Sequence, residues 1–573
     1  MERFLIDATG PFFRGYGKQR VNWSKIPFLH LATRGPERRV QWDRIREDMR
    51  RFGDEVTRIG CNAVTLDDLA HLAPHALHEV EVAERIAVFR EEFHVLFDLL
   101  RDGFGLKIHL TTDVLPSTPA LAAGLGSDPR VLEEVYGEMI DGLLGDFPQL
   151  EGLILRIGES DGNDVRDPIR TRLHLRDPEE TNGFLKRILP TFERHQRSLI
   201  LRTWTVGAHR IGDLMWNRRT LEATLDGIDS PRFIVSMKPG ESDFFRYLPL
   251  SEAFRTVRQQ KMLELQARRE YEGAGEYPAF IGRDCERYAE ELSGVEGMVG
   301  ISIWCQTGGW HRFRRLAFLE DDGRDVWIRM NVGAAMAVFR HGRAAEAGVR
   351  EVVGEAAAGA AVALLDEADR VIDDLLYIGG FARERWFFRR VQVPPLLHVY
   401  WDTLFINHAV RKLMRHLVDD GEEVVRSGER AAEGFPRMLE LAEAAGLPVE
   451  DLEHMRDFFG LVLLARRYYF EAYDEEMAER IVEAKRQYKL RWKGRKTGRY
   501  RVKISFAPFR LRSRTLSLML GLLLRRRQGY RWIDRWFTLH VLGVLFRRLK
   551  PRDPKRMPKF LRKSAMGVDS LFK

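Results

Sequence analysis

The chain has 573 residues, of which 45% are apolar and 31% charged, a length that accommodates about two to four domains. This composition excludes whole-chain disorder, a collagen helix and a coiled-coil rod. The net charge of +8 conceals a division: residues 485–573 hold 28 Lys and Arg against three acids, whereas residues 1–484 hold 64 basic and 81 acidic groups. An acidic body joined to a strongly basic tail points to an anionic surface as the tail's partner.

Cys61, Cys285 and Cys305 lie far apart and form no Cys-x-x-Cys pair, which argues against a disulfide framework or a structural zinc site. The opening residues lack a basic segment followed by an apolar stretch, so no cleaved secretion signal is expected and the expected location is cytoplasmic. The longest apolar runs, Leu516–Leu524 and Trp536–Phe546, have about half the length of a membrane-spanning helix.

Over the first 340 or so residues two periods alternate. Strand-like runs occur at Lys25–Leu31, Cys61–Leu66, Leu106–Thr111, Leu150–Ile157, Ser198–Thr205, Phe233–Met237, Met262–Tyr271 and Met298–Trp304. Helical stretches such as Trp42–Ile59, Glu81–Leu100 and Pro129–Leu144 separate them. Eight strands with helices between them predict an α/β fold, a (β/α)8 TIM barrel. The alternative, a doubly wound sheet, lacks a Gly-rich phosphate fingerprint after the first strand. Periodicity leaves the segment near 262–271 open to helix or strand. Leu263, Leu265 and Ala267 alternate with Glu264, Gln266 and Arg268, which suits a strand with one apolar face, and the barrel needs it as its seventh.

From Gly342 to Ala484 the apolar residues recur at three- and four-residue spacing. Helices are expected at Ala344–Val353, Ala357–Ile378, Thr403–Asp420, Gly428–Ala445 and Val449–Phe470, with a charged helix ending near Lys489. They form a helical domain packed on the barrel or on a second copy of the chain. The expected division is a barrel over 1–342, a helical domain over 343–484 and a basic amphipathic-helical tail over 485–573. In the tail, arginines flank two apolar runs, and Trp532 and Trp536 open the second. Apolar faces with Trp, edged by Arg, are the pattern of helices lying in a membrane interface. An anionic membrane surface is therefore expected as partner, with nucleic acid disfavoured because no base-stacking sheet or recognition helix accompanies the charge.

A barrel enzyme works at the C-terminal ends of its strands. There the sequence places Asp67 and Asp68, His109 and Asp113, Arg156 with Glu159, Arg202 with Trp204, Lys238 with Glu241 and Asp243, Glu270 with Tyr271, and Trp304. Carboxylates, cations and aromatic rings on one rim suit sugar chemistry. Hydrolysis of a glycosidic bond needs one carboxylic acid for the leaving oxygen and a second carboxylate as base or nucleophile. Aromatic faces meet sugar C–H groups. Asp67, Asp68 and Asp113 are equally suited to capping the turn that follows each strand. No His-Glu-x-x-His, Gly-x-Ser-x-Gly or P-loop occurs, and no metal or cofactor is expected.

The run Lys238-Pro-Gly-Glu-Ser-Asp243-Phe244, followed by Gln266-Ala-Arg-Arg-Glu270-Tyr271-Glu-Gly273, resembles the paired motifs of glycoside hydrolase family 67, the α-glucuronidases. Arg156 to Glu159 resembles the family's segment bearing its general acid, and Arg202-Thr-Trp204 its Trp-Arg strand end. The resemblance covers roughly residues 150–345. It implies Glu159 as general acid, Asp243 and Glu270 as the pair that activates water with inversion, and Lys238 and Arg202 as residues that hold the sugar, with Arg156 close to a basic residue of the family. Trp204, Trp304, Asp67 and His109 complete the expected substrate-binding set. The expected activity is hydrolysis of a glycan, acidic or containing uronic acid. The competing expectation is a non-hydrolytic glycan-binding scaffold of a membrane-associated polysaccharide assembly.

Overall fold

In the computed structural model every residue is described except 17–25, 127, 159–166, 170–172, 306–314, 496–497, 554–555 and 557–570. Eight parallel strands close into a barrel in chain order: β1 (Arg3–Asp7), β2 (Ala63–Leu66), β3 (Lys107–Asp113), β4 (Leu150–Gly158), β5 (Ser198–Thr205), β6 (Phe233–Met237), β7 (Gln260–Gln266) and β8 (Met298–Trp304). Helices fill the intervals, so the fold is the (β/α)8 barrel that the alternating periods predict.

The first strand is not where periodicity put it. Leu5 pairs with Ala63 on one side and Ser302 on the other, and Phe4, Leu5 and Ile6 are buried. A short continuous apolar run is what a parallel strand covered on both faces requires. Within the expected Lys25–Leu31 run, Phe28–His30 forms a short 3-10 turn after Pro27, a residue with no N–H to give a ladder. The seventh strand stops at Gln266, and Ala267–Tyr271 turns across the rim.

The interior of the barrel is graded along its axis. Leu5, Ala63, Ile154, Ile200, Ile234 and Met262 make an apolar plug in its N-terminal half. Side chains two residues apart share a face of a strand. The next inward positions are thus Asp7, Thr65, Arg156, Arg202, Ser236 and Glu264, all buried. On β7, Leu263 and Leu265 join the main core under the surrounding helices, and Glu264 points into the barrel. On β4 only glycine fits at 152, because a Cβ there would stand 2.1 Å from the Ser198 carbonyl oxygen.

Beyond the barrel, helices occupy Ala345–Val353, Glu355–Val371, Gly421–Ala432, Phe435–Ala444 and Val449–Phe470. Two short sheets interrupt them: β9 (Phe387–Phe388) with β10 (Val391–Gln392), and β11 (Val399–Tyr400) with β12 (Thr403–Asn407). The expected Thr403–Asp420 helix thus splits. Its first residues are strand, and Asn407 caps a helix from His408 to Leu417 by accepting the Val410 amide at 2.9 Å, a standard capping role for Asn.

The start of the basic tail is built into the body. Helix Glu475–Arg491 runs through position 484, and β13 (Arg501–Ser505) lies parallel to β12. Arg495 reaches Asp451 at 2.7 Å and Glu276 at 3.0 Å, and Arg315 reaches the same two acids at 2.5 and 3.0 Å. Two cations and two acids, buried together with mutual ion pairs, meet the condition for placing charge in a core. They tie barrel, helical region and tail. Among the described residues no helix is long and apolar enough to cross a membrane.

Candidate active site

The strand ends β6 and β7 bring one carboxylate under close control. Asp243 Oδ1 accepts from Lys238 Nζ at 2.5 Å and from the Phe244 amide at 3.0 Å, and Oδ2 accepts from the Tyr271 hydroxyl at 2.6 Å. Burial by itself would push this carboxyl up, and Lys238 and Tyr271 outweigh it, holding it below the usual aspartate range. Asp243 is therefore ionised at any ordinary pH. Lys238 also sits over the rings of Trp204 at 3.8 Å and Phe244 at 4.3 Å, so its ammonium is enclosed by two aromatic faces and one carboxylate.

Glu270 lies on the loop after β7, beside Tyr271, its amide donating to Gln266 Oε1 at 2.8 Å. Burial first, then the charges of Asp243 and Glu270, push the Tyr271 hydroxyl well up, and Tyr400 is raised by the same causes. Both carboxylates thus act on the same two phenols. Tyr400 ends β11, and Trp401 follows it in the turn to β12. Their rings lie 3.9 Å apart, and Trp401 stacks near Tyr271 at 6.3 Å. The loop is pinned by Glu272, which takes Arg246 at 2.7 Å, Arg269 at 2.9 Å and the Tyr377 hydroxyl at 2.6 Å. Arg269 and Ala274 hold left-handed φ of 48°, a backbone cost borne by such anchoring.

Deeper in the barrel, Arg202 Nε and Nη2 bind the two oxygens of Glu264 at 2.9 and 2.8 Å, and Ser236 Oγ adds a bond of 2.8 Å. The Arg202 guanidinium lies 4.4 Å from the Trp304 ring, and Trp304 is only 6% exposed. A bidentate, buried pair of this kind is rigid.

On the opposite side Arg156 stands 3.0 Å from Asp113 and 3.5 Å from Asp67. Asp67 also accepts the Ile26 amide at 2.7 Å, so it holds the segment that follows β1 rather than the turn after its own strand. Asp68 holds His71 Nδ1 at 2.6 Å, and Asp167 faces Nε2 at 3.3 Å. His109 does not belong to the rim. It lies within β3, fully buried, and burial together with Arg3 and Lys107 drives its pKa down to about 3. Arg3 opens β1 and Lys107 opens β3, so this neutral imidazole belongs to the N-terminal half of the barrel. Glu159, the expected general acid, lies outside the described residues.

The structure thus gathers Asp243, Lys238, Trp204 and Glu270 at one edge of the mouth, Arg202 with Trp304 beneath, and Arg156 with Asp67 across from them. Three participants escape the sequence reading. Glu264 looks like an outward strand residue until the barrel closes. Tyr400, and Tyr500 whose hydroxyl accepts the Gly273 amide at 3.0 Å, arrive from segments remote in sequence, with no local signal. Among the described residues no cluster of three or more His, Cys, Asp or Glu is placed to hold a metal ion.

No protein-family model matches the chain, and no curated protein does. Among solved structures it is similar to a GH138 enzyme targeting pectin rhamnogalacturonan II, with 9% identity over 86% of this chain and 61% of that one and a TM-score of 0.46. A family 89 glycoside hydrolase from Clostridium perfringens gives 10% identity over 85% and 54%, with a TM-score of 0.38. A mutant O-GlcNAc hydrolase of Thermobaculum terrenum gives 11% over 78% and 86%, with a TM-score of 0.35. The chain spans about three fifths of the first of these structures. Likeness at this level assigns no chemistry, which rests on the side chains.

Proposed function

We propose that the C-terminal face of the barrel hydrolyses a glycosidic bond. The observation that carries this reading is the ionised Asp243, fixed by Lys238 and Tyr271, with Glu270 acting on the same phenols beside a set of aromatic rings. Both oxygens of Asp243 already accept hydrogen bonds, so its part is to orient the water and stabilise positive charge developing on the sugar. Glu270 takes the water's proton as oxygen attacks the anomeric carbon. The resemblance to family 67 gives Glu159 the remaining step, protonation of the leaving oxygen. Inversion follows if the acid and base carboxyls stand about 6.5–9.5 Å apart, leaving room for the water.

The cations bear on the substrate class. Arg202 is committed to Glu264, and Lys238 to Asp243, so a uronic acid carboxylate would have to compete with a buried partner for either. A neutral ring stacked on Trp204 or Tyr400 needs no such exchange. We therefore assign the reacting subsite a neutral sugar, within a glycan whose other units are unspecified.

A glycan-panel hydrolysis screen with NMR of the first-released anomer tests the reading. Turnover with inversion is expected, and Glu270→Gln and Glu159→Gln should each lower kcat by about 10²–10⁴-fold. Full turnover in Glu270→Gln would overturn the assignment. Glycan binding without any hydrolysis would establish the scaffold reading instead.

A further inference from the structure

The tail beyond β13 presents an apolar surface with an arginine edge. Helix Ser513–Leu523 has no buried residue, although it carries Leu516, Leu518, Met519, Leu520, Leu522 and Leu523. Leu518 is 74% exposed, and Trp532 and Trp536, stacked at 6.3 Å with ring planes 5° apart, are 78% and 60% exposed. Arg531 joins the two pieces, donating to the Gly521 and Leu522 carbonyls at 2.9 Å each while pairing with Asp534 at 2.8 Å.

The opposite side of this tail is what docks on the protein. Arg525 is buried among the rings of Trp216, Phe387 and Tyr530 at 5.3, 5.3 and 4.8 Å, and it donates to the Arg389 carbonyl at 2.6 Å. Tyr530 bonds Asp213 at 2.6 Å, and Arg389 donates to the Thr538 carbonyl. These contacts hold the polar side inward and leave Leu and Trp outside. Among the described residues, no carboxylate lies within ion-pair distance of the exposed Arg512, Arg514, Arg527, Arg535 and Arg548.

We infer that this surface docks on an anionic lipid bilayer. Exposed Trp and Leu with uncompensated arginines at their edge match the acyl-headgroup boundary: indole and leucine enter it, and guanidinium pairs with lipid phosphate. A nucleic acid would use the charge and leave the exposed Leu518, Met519, Trp532 and Trp536 in water. A second copy of this chain meeting it through the same face would set arginine against arginine. Charge complementarity therefore selects the lipid surface. The inference is independent of the reaction at the barrel mouth.

The test is co-sedimentation of the full chain with phosphatidylcholine vesicles, with and without phosphatidylglycerol. Binding is expected only with the anionic lipid and should fall as salt rises. Trp532→Ala with Trp536→Ala should weaken it by about tenfold or more. Because both indoles are exposed, an unchanged circular dichroism spectrum and unfolding midpoint will show that the variant folds. Leu518→Glu, on the first helix, should give the same loss. Equal pelleting with both vesicle types, undiminished pelleting of the variants, tighter binding to an oligonucleotide than to anionic vesicles, or Trp-dependent self-association without lipid would each overturn the proposal.

Discussion

The hydroxyl of Tyr500 accepts the amide of Gly273 at 3.0 Å, so a residue of the basic tail holds the loop that carries Glu270 and Tyr271. Tyr500 is buried, its ring stacked on Phe458 at 3.9 Å. One residue later the chain enters β13 and supports the β11–β12 turn with Tyr400 and Trp401. Tyr500→Phe leaves the buried Gly273 N–H unsatisfied, a cost of about 1–3 kcal/mol. Denaturant unfolding should show that loss. Truncation after Ala484 removes Arg495 and Tyr500 together, and the expected result is a chain without a cooperative transition.

Lys238→Met should shift the pH profile. Asp243 is depressed in the wild type, so its ionised form persists well into the acid range. Without the ammonium, burial pushes the carboxyl back up. The acid limb of kcat/KM should move to higher pH, and Tyr271→Phe should move it less in the same direction. An unmoved acid limb in Lys238→Met would separate Asp243 from the reaction.

Arg202→Met should be among the most destabilising single changes in the barrel. It strands the buried Glu264 carboxylate, to which Ser236 Oγ still donates, at a cost of about 3–5 kcal/mol. Glu264→Met added to it should recover much of that loss, because an apolar pair of similar volume has no charge to desolvate. Equilibrium unfolding of the two variants decides the point.

His71 makes stability fall on the alkaline side. Burial opposes its charge, but Asp68 and Asp167 raise its pKa to about 10. A folded value above the unfolded value of about 6.5 means that the full contribution is present below about 6.5. It is lost as pH rises toward about 10 and amounts to an order of 4 kcal/mol. Unfolding free energy measured across that window should decline in the wild type and flatten in His71→Phe.

Gly348→Val tests the helical packing beside the barrel. A Cβ at 348 would stand 2.0 Å from the Gly333 carbonyl oxygen, backbone against backbone. Neither helix can yield by turning a side chain, so a loss of about 3 kcal/mol or more is expected in denaturant unfolding.

Much of the barrel was legible because most of its strands are apolar runs bounded by helices, the mark that burial on both faces leaves in a parallel strand, and the count of eight then claimed the alternating run of β7. The run Arg3–Asp7 is short, with only Phe4, Leu5 and Ile6 apolar, too brief to declare a period. Residues at the strand ends were legible too, since the fold directs attention there. Glu264 was not. A single acid between Leu263 and Leu265 reads as a solvent-facing residue until closure turns that face inward. His109 failed for the converse reason: its place near a strand end in sequence says nothing of its depth along the barrel axis.

The sequence alone determined the alternation of strand and helix, the candidate carboxylates Asp243 and Glu270, and the division between an acidic body and a basic tail. Each of these is a local property: hydrophobic period, a short motif after a strand, or charge along the chain. Tertiary structure decided which carboxylate is held ionised, that Arg202 answers Glu264, and that the tail begins by supporting the barrel mouth through Tyr500 and Arg495. Those are distances between residues far apart in sequence, and they come into existence only when the barrel closes and the tail packs against it.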